Sequence, residues 1–309
     1  MITTDLITKA YGDITAVDRI TLEIQKGELF GLLGPNGAGK STFIHMLTGL
    51  IRPDSGTVEI NGLSPEAQPL DYKRQIGLVP QDLSFYGDLS ARQNISYFAG
   101  LYGLRGNIRK DAVDRALEFT GLKDSGNQFA KTFSGGMKRR LNIACGIVHS
   151  PSVIFLDEPT VGIDPQSRHH ILQSVEKLRK NGCTVLYTTH YMEEAEAVCS
   201  RIAIIDKGKI IALGTRGELQ QLVEDAAVIV FRLKQYGELD RNALEGIPGV
   251  RSAEIRDNQL RVTVETGIHN INGIVQELIA QRQSILDIHT SVPNLESVFL
   301  RLTGRNLRD

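Results

Sequence analysis

The sequence predicts an α/β fold with a helical insertion, followed by a small α+β domain. Three observations carry this. An apolar strand pattern over residues 29–33 runs into a glycine-rich loop that opens a helix. Further apolar runs at Val153–Leu156, Val185–Tyr187 and Ile202–Ile205 are short and unbroken, as in a parallel sheet covered on both faces. After about residue 226 the order of candidate elements becomes β-α-β-β-α-β.

In chain order, Ile20, Leu22 and Ile24 alternate with Thr21 and Glu23, which predicts a half-buried strand. Leu29–Leu33 closes on Gly34, and Phe43, Ile44, Leu47 and Leu50 recur at helical spacing. Strand, glycine loop and helix in that order is what a phosphate-binding turn requires. From about Asp88 to Ser150 the pattern is helical, over Ile95–Leu101, Ile108–Thr120 and Met137–Val148. The last puts Met137, Leu141, Ala144, Ile147 and Val148 on one face. Ser167–Arg179 predicts a helix between the first two apolar runs. In the tail, Val228–Leu233, Val250–Ile255, Leu260–Val264 and Ile285–Ile288 read as strands, with Asp257-Asn258 as a turn pair. Leu239–Leu244 reads as a short helix, and Ile271, Ile274, Val275, Leu278 and Ile279 as an amphipathic one, which completes a ferredoxin-like order.

Composition sets bounds. The 309 residues suit one large domain or two modest ones. With 41% hydrophobic and 23% charged residues, a packed core is expected and disorder is not. Lys plus Arg (35) balance Asp plus Glu (36), so no surface-wide polyanion binding, and no nucleic-acid partner, is expected. Cys145, Cys183 and Cys199 are too scattered for a disulfide framework or a zinc site, which predicts reduced thiols. No apolar run approaches the roughly 18 residues of a membrane span. Residues 1–5 lack the basic and apolar regions of a signal peptide, so a cytoplasmic chain is expected, serving a membrane only through a partner.

Three motifs carry chemistry. Gly34-Pro35-Asn36-Gly37-Ala38-Gly39-Lys40-Ser41 fits the pattern G-x-x-x-x-G-K-[ST], in which backbone N–H groups and a lysine surround phosphates and a hydroxyl serves Mg²⁺. A chance match in a chain of this length is on the order of one in a hundred. Val153–Leu156 delivers Asp157 and Glu158 to a strand end, suited to the shell of Mg²⁺ and to a general base. Alone, such a pair reads equally well as solvated acids; downstream of a phosphate loop the chemical reading prevails. Phe133-Ser134-Gly135-Gly136-Met137 opens a helix with Ser134 as N-cap, and also forms a second anion-binding helix terminus. One protomer does not need two phosphate cradles, but a dimer that sandwiches nucleotide does. Elsewhere, Lys138-Arg139-Arg140 reads as a solvated helix face, His169-His170 as exposed helix and Cys145 as buried packing.

In this order the motifs resemble the nucleotide-binding subunits of ATP-binding-cassette (ABC) transporters, over residues 1 to about 220. The resemblance implies a P-loop NTPase cassette in residues 1–225, with a RecA-like core, an antiparallel β subdomain and a helical subdomain at about 88–150, and an accessory domain in residues 226–309. ATP and Mg²⁺ are the implied cofactors. Tyr11 resembles the loop that stacks on adenine, and Gly34, Pro35, Asn36, Gly37, Ala38, Gly39, Lys40, Ser41 and Thr42 resemble Walker A. Gln81 resembles the Q-loop, Ser134, Gly135 and Gly136 the signature, Asp157 and Glu158 Walker B, Asp164 the D-loop and His190 the H-loop switch. By resemblance, Ser41, Gln81 and Asp157 serve the metal, while Glu158, His190 and Gln81 serve catalysis. Two copies would face head to tail, with Ser134 and Gly136 of one completing the site of the other. Phe133 and Met137 depart from the usual Leu and Gln of the signature and point toward the exporter branch.

The tail segment Pro293–Leu300 with Leu302-Thr303-Gly304 resembles the C-terminal extension of daunorubicin- and linearmycin-type exporters, the ABC-2 group. That implies drug or antibiotic export through separate ABC-2 type permease subunits, with this chain on the cytoplasmic face of the membrane. The runner-up is the ATPase of another ABC transporter, a lipid or polysaccharide exporter or an importer. Ribosome-acting cassettes usually pair two cassettes in one chain, and the segment between Thr42 and Val153 has no room for the long coiled coil of a DNA-maintenance head.

Overall fold

The computed structural model describes residues 1–222, 227–234, 239–256, 259–265, 270–291 and 294–304. It divides into two compact units, Met1–Arg216 and one beginning at Gly217. In the first unit β1 (Ile2–Tyr11) and β2 (Ile14–Ile24) form a hairpin, and β3 (Leu29–Leu33) feeds a loop and α1 (Lys40–Leu47). Next come β4 (Ser55–Ile60), α2 (Pro69–Gln75) and β5 (Ile76–Val79), then the helical insertion α3 (Ala91–Leu101), α4 (Gly106–Phe119) and α5 (Gly135–Ile147). The unit closes with β6 (Val153–Asp157), α6 (Pro165–Lys180), β7 (Thr184–Thr189), α7 (Met192–Val198), β8 (Arg201–Asp206) and β9 (Lys209–Gly214).

One sheet has the order β5-β6-β7-β3-β8-β9 and is parallel except for β9 at its edge. A second, antiparallel sheet has the order β2-β1-β4. The unbroken apolar runs are explained by two-sided burial. In β6, Val153 and Phe155 enter a core with Phe43, Ile44 and the hairpin residues Ile2 and Ile24. Ile154 and Leu156 enter another with Ile143, Ile171 and Val175. The insertion has its own core around Ile95, Val113, Leu117 and Leu141, which includes Cys145.

Two expectations need correction. α1 stops at Leu47, because Gly49 turns into the left-handed region at φ 68° and leaves Leu50 exposed. Lys138-Arg139-Arg140 is not a solvated face. Arg139 is buried, and Arg140 donates from one guanidinium nitrogen to the carbonyls of Thr120 and Gly121, each at 3.1 Å.

Around the second unit, α8 (Arg216–Gln221) precedes β10 (Ala227–Leu233), α9 (Arg241–Glu245), β11 (Val250–Arg256), β12 (Gln259–Val264), α10 (Ile271–Ala280), β13 (Ile285–Ser291) and α11 (Leu295–Thr303). Its antiparallel sheet has the order β11-β12-β10-β13, the ferredoxin-like arrangement. Leu244 of α9 and Ile274 and Leu278 of α10 close over Ile229, Phe231, Leu260 and Val262. α11 starts at Asn294, whose side chain accepts from Ser297 N–H at 3.0 Å. The predicted turn at Asp257-Asn258, and Pro293, lie outside the described residues. Among the described residues no helix is long and apolar enough to cross a membrane.

Candidate functional site

Four neighbouring parallel strands, β5, β6, β7 and β3, end on one edge of the large sheet. Each passes into a segment that carries predicted residues: Gln81 after β5, Asp157 and Glu158 at β6, His190 after β7, and Gly34–Thr42 after β3. This carboxyl edge is where open α/β sheets bind ligands.

The loop after β3 is shaped by Gly39, which sits at φ 106°, where a Cβ would lie 2.2 Å from the Ala16 carbonyl oxygen. It leaves the N-terminus of α1 without a side-chain cap, so its N–H groups and positive dipole end are open to an anion. Asn36 and Gly37 are exposed, Ala38 is buried, and Ser41 and Thr42 are half-buried in the first turn. Lys40 is buried; its Nζ donates to the carbonyls of Gly34 (2.7 Å) and Pro35 (3.0 Å) and pairs with Glu158 Oε1 at 2.9 Å.

Glu158 stands at φ 46°, a left-handed conformation that costs a non-glycine residue about 1–2 kcal/mol. Thr188 holds it there. The Thr188 hydroxyl accepts from Glu158 N–H at 3.0 Å and donates to Asp157 Oδ1 at 2.7 Å. His190 Nδ1 lies 3.1 Å from Glu158 Oε2. An ionised carboxylate only accepts, so in this contact Nδ1 is the donor. Lys40, Glu158 and His190 thus form one contiguous group.

Gln81 is exposed, and its backbone is gripped from α5. Arg139 donates to the Gln81 carbonyl and, at 3.5 Å, to that of Val161. Burial pushes the Arg139 guanidinium below its usual pKa, opposed by the nearby Asp82 and Glu158 charges. Asn142 accepts from Ser84 N–H at 3.0 Å and donates to Pro80 O at 3.2 Å. Sequence reading missed Arg139 and Asn142. The available signal was helical phase, since Arg139 follows Gly136 by one turn and precedes Ile143 by another on the buried side of α5.

Asp164 caps α6, accepting from Ser167 N–H at 2.9 Å, and that bond holds its carboxyl below the usual carboxylate range. Gly136 packs against the same turn, where a Cβ would come within 1.9 Å of Ser167 Oγ. Ser134 and Gly135 are exposed, and Ser134 Oγ accepts from Met137 N–H at 3.3 Å. Tyr11 ends β1 in the other sheet, 49% exposed, with Lys9 Nζ 5.7 Å from its ring centre. Among the described residues, no hydrogen bond or ion pair links Tyr11, Gln81, Ser134, Gly135, Gly136 or Asp164 to the Lys40–Glu158–His190 group.

The family profile described as ABC transporter matches residues 17–161. A linearmycin-resistance ATP-binding protein of Bacillus subtilis is 40% identical, over 100% of both chains. The chain belongs to the ABC transporter family. A daunorubicin-resistance ATP-binding protein of Streptomyces coeruleorubidus is 36% identical over 99% of this chain and 97% of its own. A Nod factor export ATP-binding protein of Burkholderia thailandensis is 37% identical over 98% and 97%. Among solved structures, a dimeric ATP-binding cassette in a post-hydrolysis state with ADP and phosphate superposes with a TM-score of 0.64. It shares 27% identity over 70% of this chain and 98% of that one. As an ABC cassette this chain binds and hydrolyses ATP.

Proposed function

We propose that this ABC ATPase subunit powers export of a drug or antibiotic-like amphipathic compound through separate ABC-2 type membrane subunits, as a peripheral protein on the cytoplasmic face of the membrane. The chemical half rests on one observation, the buried contact of Lys40 and His190 with the two oxygens of Glu158. Lys40 and backbone N–H groups within residues 36–42 bind phosphate, and Tyr11 stacks on the adenine. Glu158 accepts the proton of the attacking water, with His190 bonded to its second oxygen. Such a carboxylate must be fixed before the reaction, because phosphoryl transfer is mostly positioning and charge neutralisation.

The donor set also suits Mg²⁺. Ser41, Asp157 and Gln81 offer hard oxygen ligands, and among the described residues no group of three or more His, Cys, Asp or Glu offers a dedicated metal cage. Mg²⁺ typically takes one or two protein oxygens together with substrate phosphates, and supplies charge neutralisation when bound. Asp157 is already oriented for this by Thr188.

Ser134, Gly135 and Gly136 act toward the nucleotide of a second copy, with Asp164 at the same junction. Exposure of Ser134 and Gly135 at the N-terminus of α5 supports this. The resistance relatives, matched over 97–100% of their lengths, favour drug export; the Nod factor relative favours export of another compound by the same engine. The deciding experiment is purification of the tagged chain from gently solubilised membranes. A stoichiometric polytopic membrane protein is expected; recovery with ribosomes, or with no membrane protein, would overturn the transporter assignment.

A further inference from the structure

The chemistry above leaves one buried acid unused. Glu194 of α7 is 3% exposed, while its neighbour Glu193 is exposed. Its Oε2 accepts three hydroxyls: Tyr187 at 2.8 Å, Thr160 at 2.8 Å and Thr189 at 3.0 Å. Its Oε1 lies 3.2 Å from Arg168 Nε, a charge contact without hydrogen-bond geometry. These partners come from different segments. Thr160 lies two residues after Glu158, Tyr187 and Thr189 end the strand that delivers His190, and Arg168 stands on α6 just past Asp164. The Thr189 hydroxyl also accepts from Tyr191 N–H at 2.9 Å, so the residues on either side of His190 are tied together and to Glu194. Burying a carboxylate is costly even when one oxygen takes three hydroxyls and the other faces a cation, and an apolar side chain would fill the space more cheaply. The arrangement is therefore better suited to holding segments in register than to adding stability.

We propose that Glu194 is a positioning residue for ATP hydrolysis, locking the loop that carries Glu158 to the strand end that carries His190. It touches neither nucleotide nor water; it sets the distance between two groups that do. The burial that raises the Tyr187 hydroxyl well above its usual pKa keeps that residue a donor to Glu194. The proposal rests on Glu158 and His190 working as a pair.

The test is a kinetic double-mutant cycle on the full chain with Glu194→Gln and His190→Ala. Glu194→Gln keeps the shape but loses the charge and half of the acceptor capacity. Its kcat is expected to fall on the order of ten- to a hundredfold, as misplacement by about 1 Å does, with ATP affinity retained. In the His190→Ala background the same change should cost little more, because the group it positions is gone. An equal loss in both backgrounds, or an unchanged kcat in Glu194→Gln alone, overturns the proposal. Unchanged kcat in His190→Ala alone would instead overturn the pairing of Glu158 with His190. If Glu194→Gln fails to fold, Thr189→Val removes one donor with nearly the same volume and is expected to show a smaller loss of the same kind. A fall in ATP affinity without a fall in kcat there would count against a positioning role.

Discussion

Glu158 and Lys40 share a buried ion pair, so each changes what the other can do. Phosphate oxygens that approach Lys40 compete with Glu158 Oε1 for the same ammonium. Glu158→Gln removes that competitor together with the proposed base. ATP binding is expected to be retained or to tighten, while turnover falls by about 10²–10⁴-fold, the range for loss of a general base. Nucleotide titration and steady-state hydrolysis of the variant check this, and turnover near wild type would remove Glu158 from the chemistry. Lys40→Ala acts the other way. It strips the cradle of its cation and leaves a buried carboxylate supported mainly by His190. Weaker nucleotide binding is expected, along with about 1–3 kcal/mol of lost stability, as for a buried group deprived of a partner. Normal ATP affinity in that variant would mean that the loop does not hold phosphate through its lysine.

At the scale of elements, His149 joins the helical insertion to the sheet. It follows α5, its Nε2 bonds the Ile76 carbonyl of β5 at 2.8 Å, and its ring stacks on Tyr102 at the end of α3, 3.4 Å between centroids and 6° from parallel. Burial pushes its imidazole below the usual 6.5, against a smaller upward pull from the Ile76 carbonyl. The unfolded chain therefore binds a proton that the folded chain refuses. The resulting loss of stability grows as pH falls below about 6.5 and is absent above it. Denaturant unfolding of wild type and His149→Gln at pH 7.5 and pH 5.5 checks this, with a smaller pH-dependent drop expected in the variant. An equal drop in both would place the proton elsewhere.

Elements also separate what could be read in the sequence from what could not. β3, β6 and β7 were legible because burial on both faces leaves unbroken apolar runs. The glycine loop between β3 and α1 was legible because its glycines answer to local backbone geometry. Glu194 was not, because its neighbour Glu193 is equally polar and only packing separates buried from solvated; Arg139 was marked only by its helical phase with Gly136 and Ile143. α11 was legible but sequence reading missed it: Leu295, Val298, Phe299 and Leu302 recur at i, i+3, i+4 and i+7 behind the Asn294 cap, and the first three are buried. Contacts between segments, such as Thr188 with Glu158, follow from sheet register, which local pattern does not encode.

At the scale of the whole chain, two units with separate cores invite separation. The first holds the entire Lys40–Glu158–His190 group, so a chain ending at Arg216 is expected to fold and bind ATP. The second has an edge strand, β13, that exposes Leu286 and Ile288. An edge with unpaired backbone groups and apolar side chains is a template for another chain. We expect this unit to strengthen pairing of two copies. In the Glu158→Gln background, where ATP is held without turnover, the full chain should dimerise with ATP at lower concentration than the chain ending at Arg216. Sedimentation of both with and without ATP measures the difference. Equal dimerisation would leave the nucleotide sandwich as the only contact between copies and assign the second unit to another partner. Dimerisation of the full chain without ATP would mean that this unit pairs by itself, and that the nucleotide opens and closes a dimer already formed.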